Sequence, residues 1–289
     1  MILLMVAALA GLEAGKTIRL PPGVQDKIVI TDRHFDPPVT IDAHGATIKG
    51  LKIESSSGII WRGGTIVAPK GRGDTDTSPA GRGTGPSHYA SVVARSADIV
   101  FDDVTFADAK IGMVAGRNQR LTVRNSRFRG LRSDGIDSVG NSHVLIENNA
   151  FSDTRPIPRI GKKGEAGFID GDHPDAIQFW APADVPLATD IIIRNNRIEG
   201  STQGINTFGP KGDGFQRLVI ENNTLLTRYA AGIFISNCSD CRVRFNRLEP
   251  NRQAQNNIDM RIEASTGQFC GNRITAIPRH SANAACPAD

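Results

Sequence analysis

The chain has 289 residues, of which 39% are hydrophobic and 30 are glycine, and it carries a net charge of +4. This composition excludes a disordered chain, and no apolar run reaches the roughly 18 residues that a membrane-spanning helix needs. The mild basic excess favours an anionic partner such as a uronate polymer or nucleic acid, although a soluble surface slightly rich in Lys and Arg explains it equally well.

The N-terminal stretch, MILLMVAALA over residues 1–10, resembles the apolar core of a secretory signal, but the basic start of such a signal is missing. The sequence LAGLEAGKTIRL that overlaps its end reads as a short helix, stopped by Gly15 before a strand. We therefore predict an N-terminal helix that caps the first repeat and covers its strand edges.

One short pattern recurs along the chain: an apolar alternation, a polar turn and a second apolar alternation. Its copies are LTVRNSRF (121–128), VLIENNAF (144–151), IIIRNNRI (191–198), LVIENNTL (218–225) and CRVRFNRL (241–248), with weaker ones at 99–106 and 269–274. Asn at the turn tolerates left-handed backbone geometry, so each copy predicts two strands around a tight corner. If copies stack in parallel, a column of side chains forms an asparagine ladder: Asn125, Asn148, Asn195 and Asn222.

A second pattern supplies a third strand per repeat: DGIDSV (134–139), DAIQFW (175–180), QGINTF (203–208), AGIFIS (231–236) and NNIDMR (256–261). Alternation points one column inward, namely Ile136, Ile177, Ile205, Ile233 and Ile258. The positions facing outward are Asp137, Gln178, Asn206, Phe234 and Asp259, then Val139, Trp180, Phe208, Ser236 and Arg261. A column of small residues would let a ligand approach the backbone: Gly135, Ala176, Gly204 and Gly232. Together the patterns predict an all-β fold, a single right-handed parallel β-helix over residues 1–289 with three strands per coil.

Two insertions rich in Gly, Pro and charge interrupt the repeats, at residues 67–88 and 152–173. Both follow the second strand of the shared pattern, so we expect them on the same side of the cylinder. Long loops in a compact repeat are more often binding elements than tolerated surface insertions, although the second explanation stays open.

An acidic cluster is predicted beside the second insertion. Asp134 and Asp175 begin equivalent strands, and adjacent strands lie about 4.8 Å apart, so the two carboxyls should be neighbours, with Asp172 and His173 arriving from the loop. Alternation would turn both carboxyls inward, so this prediction assumes that they sit at the corner. Like charges at that distance raise one pKa or bind a cation.

Four cysteines fall late in the chain, and their positions predict closure of the C-terminal end. Cys270 would pair with Cys286 and Cys238 with Cys241 in an oxidising compartment. A zinc site and free buried thiols are the alternatives.

The repeated G-I-x strands and the asparagine ladder resemble the pectate-lyase-like β-helix superfamily, which holds polysaccharide lyases, polygalacturonases, mannuronan epimerases and phage tailspikes. SDGIDSV looks like the polygalacturonase segment with a catalytic aspartate, at Asp134, and HPDAIQF looks like its double-aspartate segment, at Asp175, with Pro174 replacing the other aspartate. Gln203 stands where that family has a histidine, and no Arg-x-Lys signature follows. The resemblance therefore implies a glycan groove on the outer sheet without an ordinary polygalacturonase site.

The leading functional prediction is a secreted or periplasmic lyase that cleaves an acidic polysaccharide by β-elimination. Asp134, Asp137, Asp172 and Asp175 would hold Ca²⁺, which would stabilise the developing enolate. Lys162, Lys163, Arg159 or His173 would supply the base. The substrate would lie against seven side chains, from Arg159, Lys163, Gln178, Trp180, Asn206, Phe208 and Lys211.

Two other functions stay open at this stage. A glycoside hydrolase would use Asp134 and Asp175, or Asp137 and Asp175, as acid and base. A non-catalytic carbohydrate-binding or tailspike-like solenoid would use the same outer face, whose amides and aromatics suit a sugar but also fit an ordinary solvated sheet. The expected partner is a polysaccharide or oligosaccharide, not nucleic acid.

Overall fold

The computed structural model describes residues 11–69, 88–168, 170–209, 214–254, 256–275 and 285–286. In these residues the regular structure is β-strand, arranged in three parallel sheets to which each coil contributes one strand. The predicted all-β fold with three strands per coil is confirmed. None of the described residues forms a helix long and apolar enough to cross a membrane.

The first sheet contains the strands Thr17–Arg19, His34–Asp42, Ser57–Arg62, Ala97–Asp102, Gln119–Arg124, Ser142–Glu147, Ala188–Arg194, Phe215–Glu221, Cys238–Ser239, Cys241–Arg244 and Gly267–Cys270. The second contains Gly23–Gln25, Ala46–Lys49, Thr65–Val67, Thr105–Ala107, Arg127–Arg129, Ala150–Ser152, Arg197–Gly200, Thr224–Thr227, Arg247–Pro250 and Arg273–Ile274. The third contains Ile28–Thr31, Leu51–Glu54, Tyr89–Ala94, Ile111–Gly116, Ile136–Val139, Asp175–Trp180, Gln203–Phe208, Ala231–Ser236 and Asp259–Glu263.

The interior is filled by columns of apolar side chains, one per sheet position. Ile136, Ile177, Ile205 and Ile233 are in register and buried, as predicted. The prediction of the last member of this column is wrong. Ile258 is buried, but a register shift pairs Ile233 with Met260 instead. The same shift places Arg261 beside Phe234, where the sequence predicts Asp259.

The column of small residues packs inward and does not open the backbone to a ligand. A Cβ on Gly135 would lie 2.4 Å from the carbonyl oxygen of Ala176 and 2.6 Å from the ring of Phe151. That ring belongs to a buried stack in which Phe128 lies 4.7 Å from Phe106 and 4.6 Å from Phe151. A Cβ on Gly204 would meet Leu225, and one on Gly232 would meet Leu248. Small residues are therefore required by packing against the interior, which corrects their predicted role.

The asparagine ladder exists one residue later than predicted. Asn125, Asn148, Asn195 and Asn222 adopt left-handed backbone geometry at the corner. The following residues point inward and bond from coil to coil: Asn149, Asn196, Asn223, Asn246 and Asn272. In each step the Oδ1 atom of one asparagine accepts from the backbone N–H and the Nδ2 of the asparagine one coil earlier, as between Asn196 and Asn149, both at 3.0 Å.

Replacing Asn196 with Ala is expected to lower the free energy of unfolding by about 1–3 kcal/mol, because the buried backbone N–H of Asn149 loses its acceptor. Asn195→Gly is the matched control, since glycine adopts the left-handed φ of 55° found at this position at no steric cost. Urea denaturation of both variants measures the difference. Equal losses in the two variants would contradict the assignment of the ladder.

A second column, at the last position of the first-sheet strands, alternates in charge from coil to coil. Register places Asp42, Arg62, Asp102, Arg124, Glu147, Arg194, Glu221 and Arg244 in succession. Ion pairs of 2.9 Å join Arg124 to Asp102 and of 2.8 Å join Arg194 to Glu147. If a coil paired with the coil two positions away, like charges would lie side by side. The alternation therefore favours pairing between adjacent coils.

The two ends of the solenoid differ from each other in how far they match the predictions. The predicted N-terminal helix begins outside the described residues, and its remainder before Gly15 is not helical, because residues 11–16 form turns, with Gly15 at a φ of 72°. At the other end both predicted disulfides, Cys238–Cys241 and Cys270–Cys286, are present. Of the two insertions, residues 70–87 lie outside the described residues, whereas 152–173 is described apart from residue 169.

Candidate active site

Asp134 and Asp175 lie in neighbouring coils at the corner that leads into the third sheet. The backbone N–H of Asp175 donates to Asp134 Oδ1 at 2.9 Å, and Ser133 Oγ donates to Asp134 Oδ2 at 3.2 Å. Alternation is broken here because the position before the inward isoleucines also faces inward: a Cβ on Gly135 would meet the interior ring of Phe151. The Asp175 carboxyl can therefore reach outward-facing side chains of the sheet, as the corner prediction assumes.

Two amides enclose the carboxyl of Asp175. Asn206 Nδ2 donates to Asp175 Oδ1. Gln178 Nε2 donates to Asp175 Oδ2 at 2.7 Å, in the amide orientation that also lets Gln178 Oε1 accept from Trp180 Nε1. Register places Gln178 between Asp137 and Asn206 in one outward column. Both amides are buried and donate to the Asp175 carboxyl, and the sugar contacts expected of Gln178 and Asn206 stay a prediction.

Two oxygen atoms of this column lack a hydrogen-bond partner among the described residues. They are Asp137 Oδ1 and Asn206 Oδ1, and both are buried. An unmatched acceptor in such a place costs free energy until a donor reaches it. Hydroxyl groups of a ligand, or ordered water, are donors of the required kind.

Burial controls the protonation of the three carboxyls. It raises the pKa of Asp134 to about 7, helped by repulsion from Asp137 and Asp172 and opposed by the hydrogen bond from the Asp175 backbone. Burial and the neighbouring Asp134 raise the pKa of Asp175 well above its ordinary value. Burial also raises the pKa of Asp137. Because the groups interact, they titrate as a set, and each holds its proton to a higher pH than an ordinary aspartate does.

Asp172 has a structural partner in Arg132. Arg132 Nε lies 3.0 Å from Asp172 Oδ2, and the two side chains are only 3% and 5% exposed. Asp172 Oδ2 also accepts from the backbone N–H of Ile157 at 2.8 Å. This buried pair fixes both arms of the 152–173 insertion against the corner beside Asp134.

The predicted calcium ligands do not converge in the described residues. No group of three or more His, Cys, Asp or Glu side chains there is arranged to hold a metal ion. Asp172 is engaged by Arg132, and Asp134 Oδ1 accepts from a backbone N–H. Calcium prefers six to eight oxygen ligands, so this donor set does not fit it, and no step proposed below uses an ion.

An aromatic row follows the carboxyls along the outer face. The Trp180 and Phe208 rings lie 5.2 Å apart, the Phe208 and Phe234 rings 5.8 Å apart, and the Arg261 guanidinium lies 5.1 Å over Phe234. Trp180 is 39% exposed. The row offers apolar ring surface from one coil to the next, with the rings tilted by 35° and 49°, and such surface suits the apolar faces of sugar residues.

The basic residues predicted to serve as catalysts or ligands lie mostly on the surface of the insertion. Arg159, Lys162, Lys163 and His173 are exposed. The Arg159 guanidinium lies 5.4 Å over the Phe168 ring, and the Lys162 backbone N–H donates to Glu165 Oε2 at 3.0 Å. Lys211 lies outside the described residues.

The sequence analysis missed Arg132 and Ser133, whose contacts shape the cluster. Both precede Asp134 directly, and the Arg-Ser-Asp run at 132–134, at the entry to a strand of the third sheet, is the signal that could have marked them. A cavity of about 490 Å³ lies elsewhere, on the second sheet, where its acidic residues Asp153 and Glu199 are paired with Arg155 and Arg197. The outer face of the third sheet, with its carboxyl cluster and aromatic row, is the candidate site.

Comparisons with known proteins concern the fold. Among solved structures, the Dettilon tailspike protein matches with a TM-score of 0.46 and 16% identity over 89% of this chain and 54% of that chain. PfbA, a surface adhesin of Streptococcus pneumoniae, matches with a TM-score of 0.32 and 11% identity over 96% of this chain and 91% of that chain. This chain thus spans about half of the tailspike's length, and a search of curated proteins finds no match.

A family model described as "Right handed beta helix region" matches residues 90–282. The matched segment covers more than half of the chain and includes the carboxyl cluster, the aromatic row and most of the asparagine ladder. The chain therefore belongs to the right-handed β-helix family.

Proposed function

We propose that this protein cleaves a polysaccharide bound along the outer face of the third sheet, by acid–base hydrolysis of a glycosidic bond. One observation carries the proposal: Asp134, Asp137 and Asp175 meet at one end of an aromatic row, with the pKa of Asp134 raised to about 7. Hydrolysis needs one carboxyl that keeps its proton near neutral pH and another that acts as base or nucleophile. The three carboxyls are buried to different extents, which would give one of them the role of proton donor and another the role of base or nucleophile.

The exposure of the carboxyls suggests their roles. Asp137 is the least buried of the three and has an unmatched oxygen, so it would contact the sugar as nucleophile or base. Asp134 would hold the proton that passes to the leaving oxygen. Asp175, only 2% exposed and enclosed by amides, would help to keep Asp134 in place, since its backbone N–H donates to Asp134 Oδ1.

The β-elimination predicted from the sequence is a second candidate. It needs a base for the C5 proton and a positive charge beside the uronate carboxylate. The insertion, fixed beside Asp134 by the Arg132–Asp172 pair, carries Lys162, Lys163, Arg159 and His173, which supports this candidate. Hydrolysis is preferred because the centre consists of three carboxyls whose pKa values are raised by burial, an environment that disfavours a further negative charge such as a uronate carboxylate.

We expect the protein to release reducing ends from a polysaccharide without forming unsaturated uronate. Incubation with pectate, alginate, glycosaminoglycans and neutral glycans, followed by reducing-end and ultraviolet assays, measures both products. A rise in both signals indicates a lyase. Binding in the absence of either signal, detected by tryptophan fluorescence, indicates a carbohydrate-binding solenoid and contradicts the proposal. Parallel reactions with EDTA test the calcium prediction.

We also propose that the protein acts in an extracellular or periplasmic space. Two disulfides close the C-terminal end, and disulfides persist in oxidising compartments. A polymer too large to enter a cell would be met there.

A further inference from the structure

Gln178 stands between the carboxyl cluster and the aromatic row. Its amide contacts Asp175 Oδ2 at one end and Trp180 Nε1 at the other. The side chain is 8% exposed, which leaves little of it for a sugar. Its contacts are therefore directed at the carboxyl cluster on one side and at the aromatic row on the other.

The chemistry of these neighbours allows one orientation of the amide. An indole N–H only donates, so it requires the amide oxygen. Asp175 Oδ2 accepts as part of a carboxylate and equally as the carbonyl oxygen of a carboxyl protonated at Oδ1, so it requires the amide nitrogen. The opposite orientation would lose both hydrogen bonds in a place where water has little access to replace them.

The indole ring is partly exposed and packs against one neighbouring ring of the row. Trp180 is 39% exposed, and its ring lies 5.2 Å from that of Phe208 at an interplanar angle of 35°. A tilted ring contact is not directional, whereas a hydrogen bond from Nε1 restrains the ring plane. The orientation of the first ring of the row thus depends on the Gln178 oxygen.

We propose that Gln178 is a positioning residue that fixes the Trp180 ring relative to the Asp175 carboxyl. This inference rests on the proposed function, because positioning of the ring matters only if a glycan binds there. A sugar stacked on Trp180 would then be held at a set distance from the carboxyls. Asn206 supports the arrangement from the next coil, because its Nδ2 donates to the other oxygen of Asp175.

The test compares Gln178→Met, which keeps the length of the side chain but cannot hydrogen-bond, with Gln119→Met, a change at an exposed residue of the first sheet. We expect the indole N–H of Trp180 to exchange with deuterium roughly 3- to 10-fold faster in Gln178→Met, as loss of one hydrogen bond predicts. The chain has two tryptophans, so Trp180→Phe identifies the resonances, and Trp61, buried and bonded to Gly63 O, is an internal reference.

Acrylamide quenching of Trp180 fluorescence provides a second measurement and should increase in Gln178→Met alone. Unchanged exchange and quenching in Gln178→Met would overturn the proposal, as would equal changes at Trp61, which would indicate general loosening of the fold. Neither measurement needs a glycan. Failure of the positioning role is therefore distinguishable from failure of the proposed hydrolysis, which the glycan assays decide.

Discussion

Replacing Asp134 with Asn is expected to abolish most glycan cleavage while stabilising the fold above neutral pH. The amide has the shape of the carboxyl and still accepts the hydrogen bond that the Asp175 backbone donates. It cannot deliver a proton to a leaving oxygen, and removal of a general acid lowers rates by about 10²- to 10⁴-fold. It also removes a charge that the buried corner disfavours.

The sign of the stability change follows from the pKa of Asp134, which is about 7 in the fold and 3.8 as the ordinary value. Between these values the folded protein binds more protons than the unfolded chain, so its stability decreases as the pH rises. Each pKa unit corresponds to about 1.4 kcal/mol. We therefore expect Asp134→Asn to match the original protein near pH 4 and to exceed its free energy of unfolding by about 1–3 kcal/mol at pH 8.

Urea denaturation at several pH values, together with the reducing-end assay, measures both effects. Asp170→Asn is the matched control, because Asp170 is exposed on the adjoining insertion and should change neither quantity. Full activity in Asp134→Asn would remove Asp134 from the proposed mechanism. A loss of stability at pH 8 would show that the carboxylate form is favoured in the fold.

Local sequence signals were sufficient for the solenoid itself. Alternation and β-branched residues identify strands such as Ile136–Val139 and Asp175–Trp180, and their inward isoleucines depend only on side-chain direction. The neighbouring positions of Asp134 and Asp175 followed from counting equivalent strands. The two disulfides followed from the clustering of cysteines near one end.

Features that depend on what lies across the coil were less predictable. The ladder residue is Asn196, not Asn195, because the first of the two asparagines takes left-handed geometry and turns the second inward. Gly135 is small because of Phe151, which is in a different sheet. Asp172 pairs with Arg132, 40 residues away in the chain, and no periodic pattern indicates such a contact.

The alternating charges of the first sheet were readable in the repeats. The residue before the corner is Arg124, Glu147, Arg194, Glu221 and Arg244 in successive copies. The pattern becomes meaningful only when the copies are stacked in register, since opposite charges then meet at each step. Periodic charge of this kind identifies the coil on which each coil stacks. It can be searched for in a sequence in the same way as periodic apolar residues.

Breaking the buried pair of Arg132 and Asp172 is expected to cause the largest loss of stability of any single change at the site. Asp172→Asn keeps an acceptor for the backbone N–H of Ile157 but leaves the Arg132 charge without its carboxylate. Arg132→Met leaves the Asp172 charge buried in turn. Each single change should lower the free energy of unfolding by about 3–5 kcal/mol, since desolvation of the remaining charge is no longer offset.

The double variant, Arg132→Met with Asp172→Asn, should cost no more than the larger single change, because no buried charge remains. Urea denaturation gives the coupling free energy, and tryptic cleavage at Lys162 and Lys163 reports release of the insertion. Additive losses in the double variant would mean that the two side chains act independently. Unchanged cleavage in the single variants would show that other contacts hold the insertion, and its basic residues would then keep their place beside Asp134 without the pair.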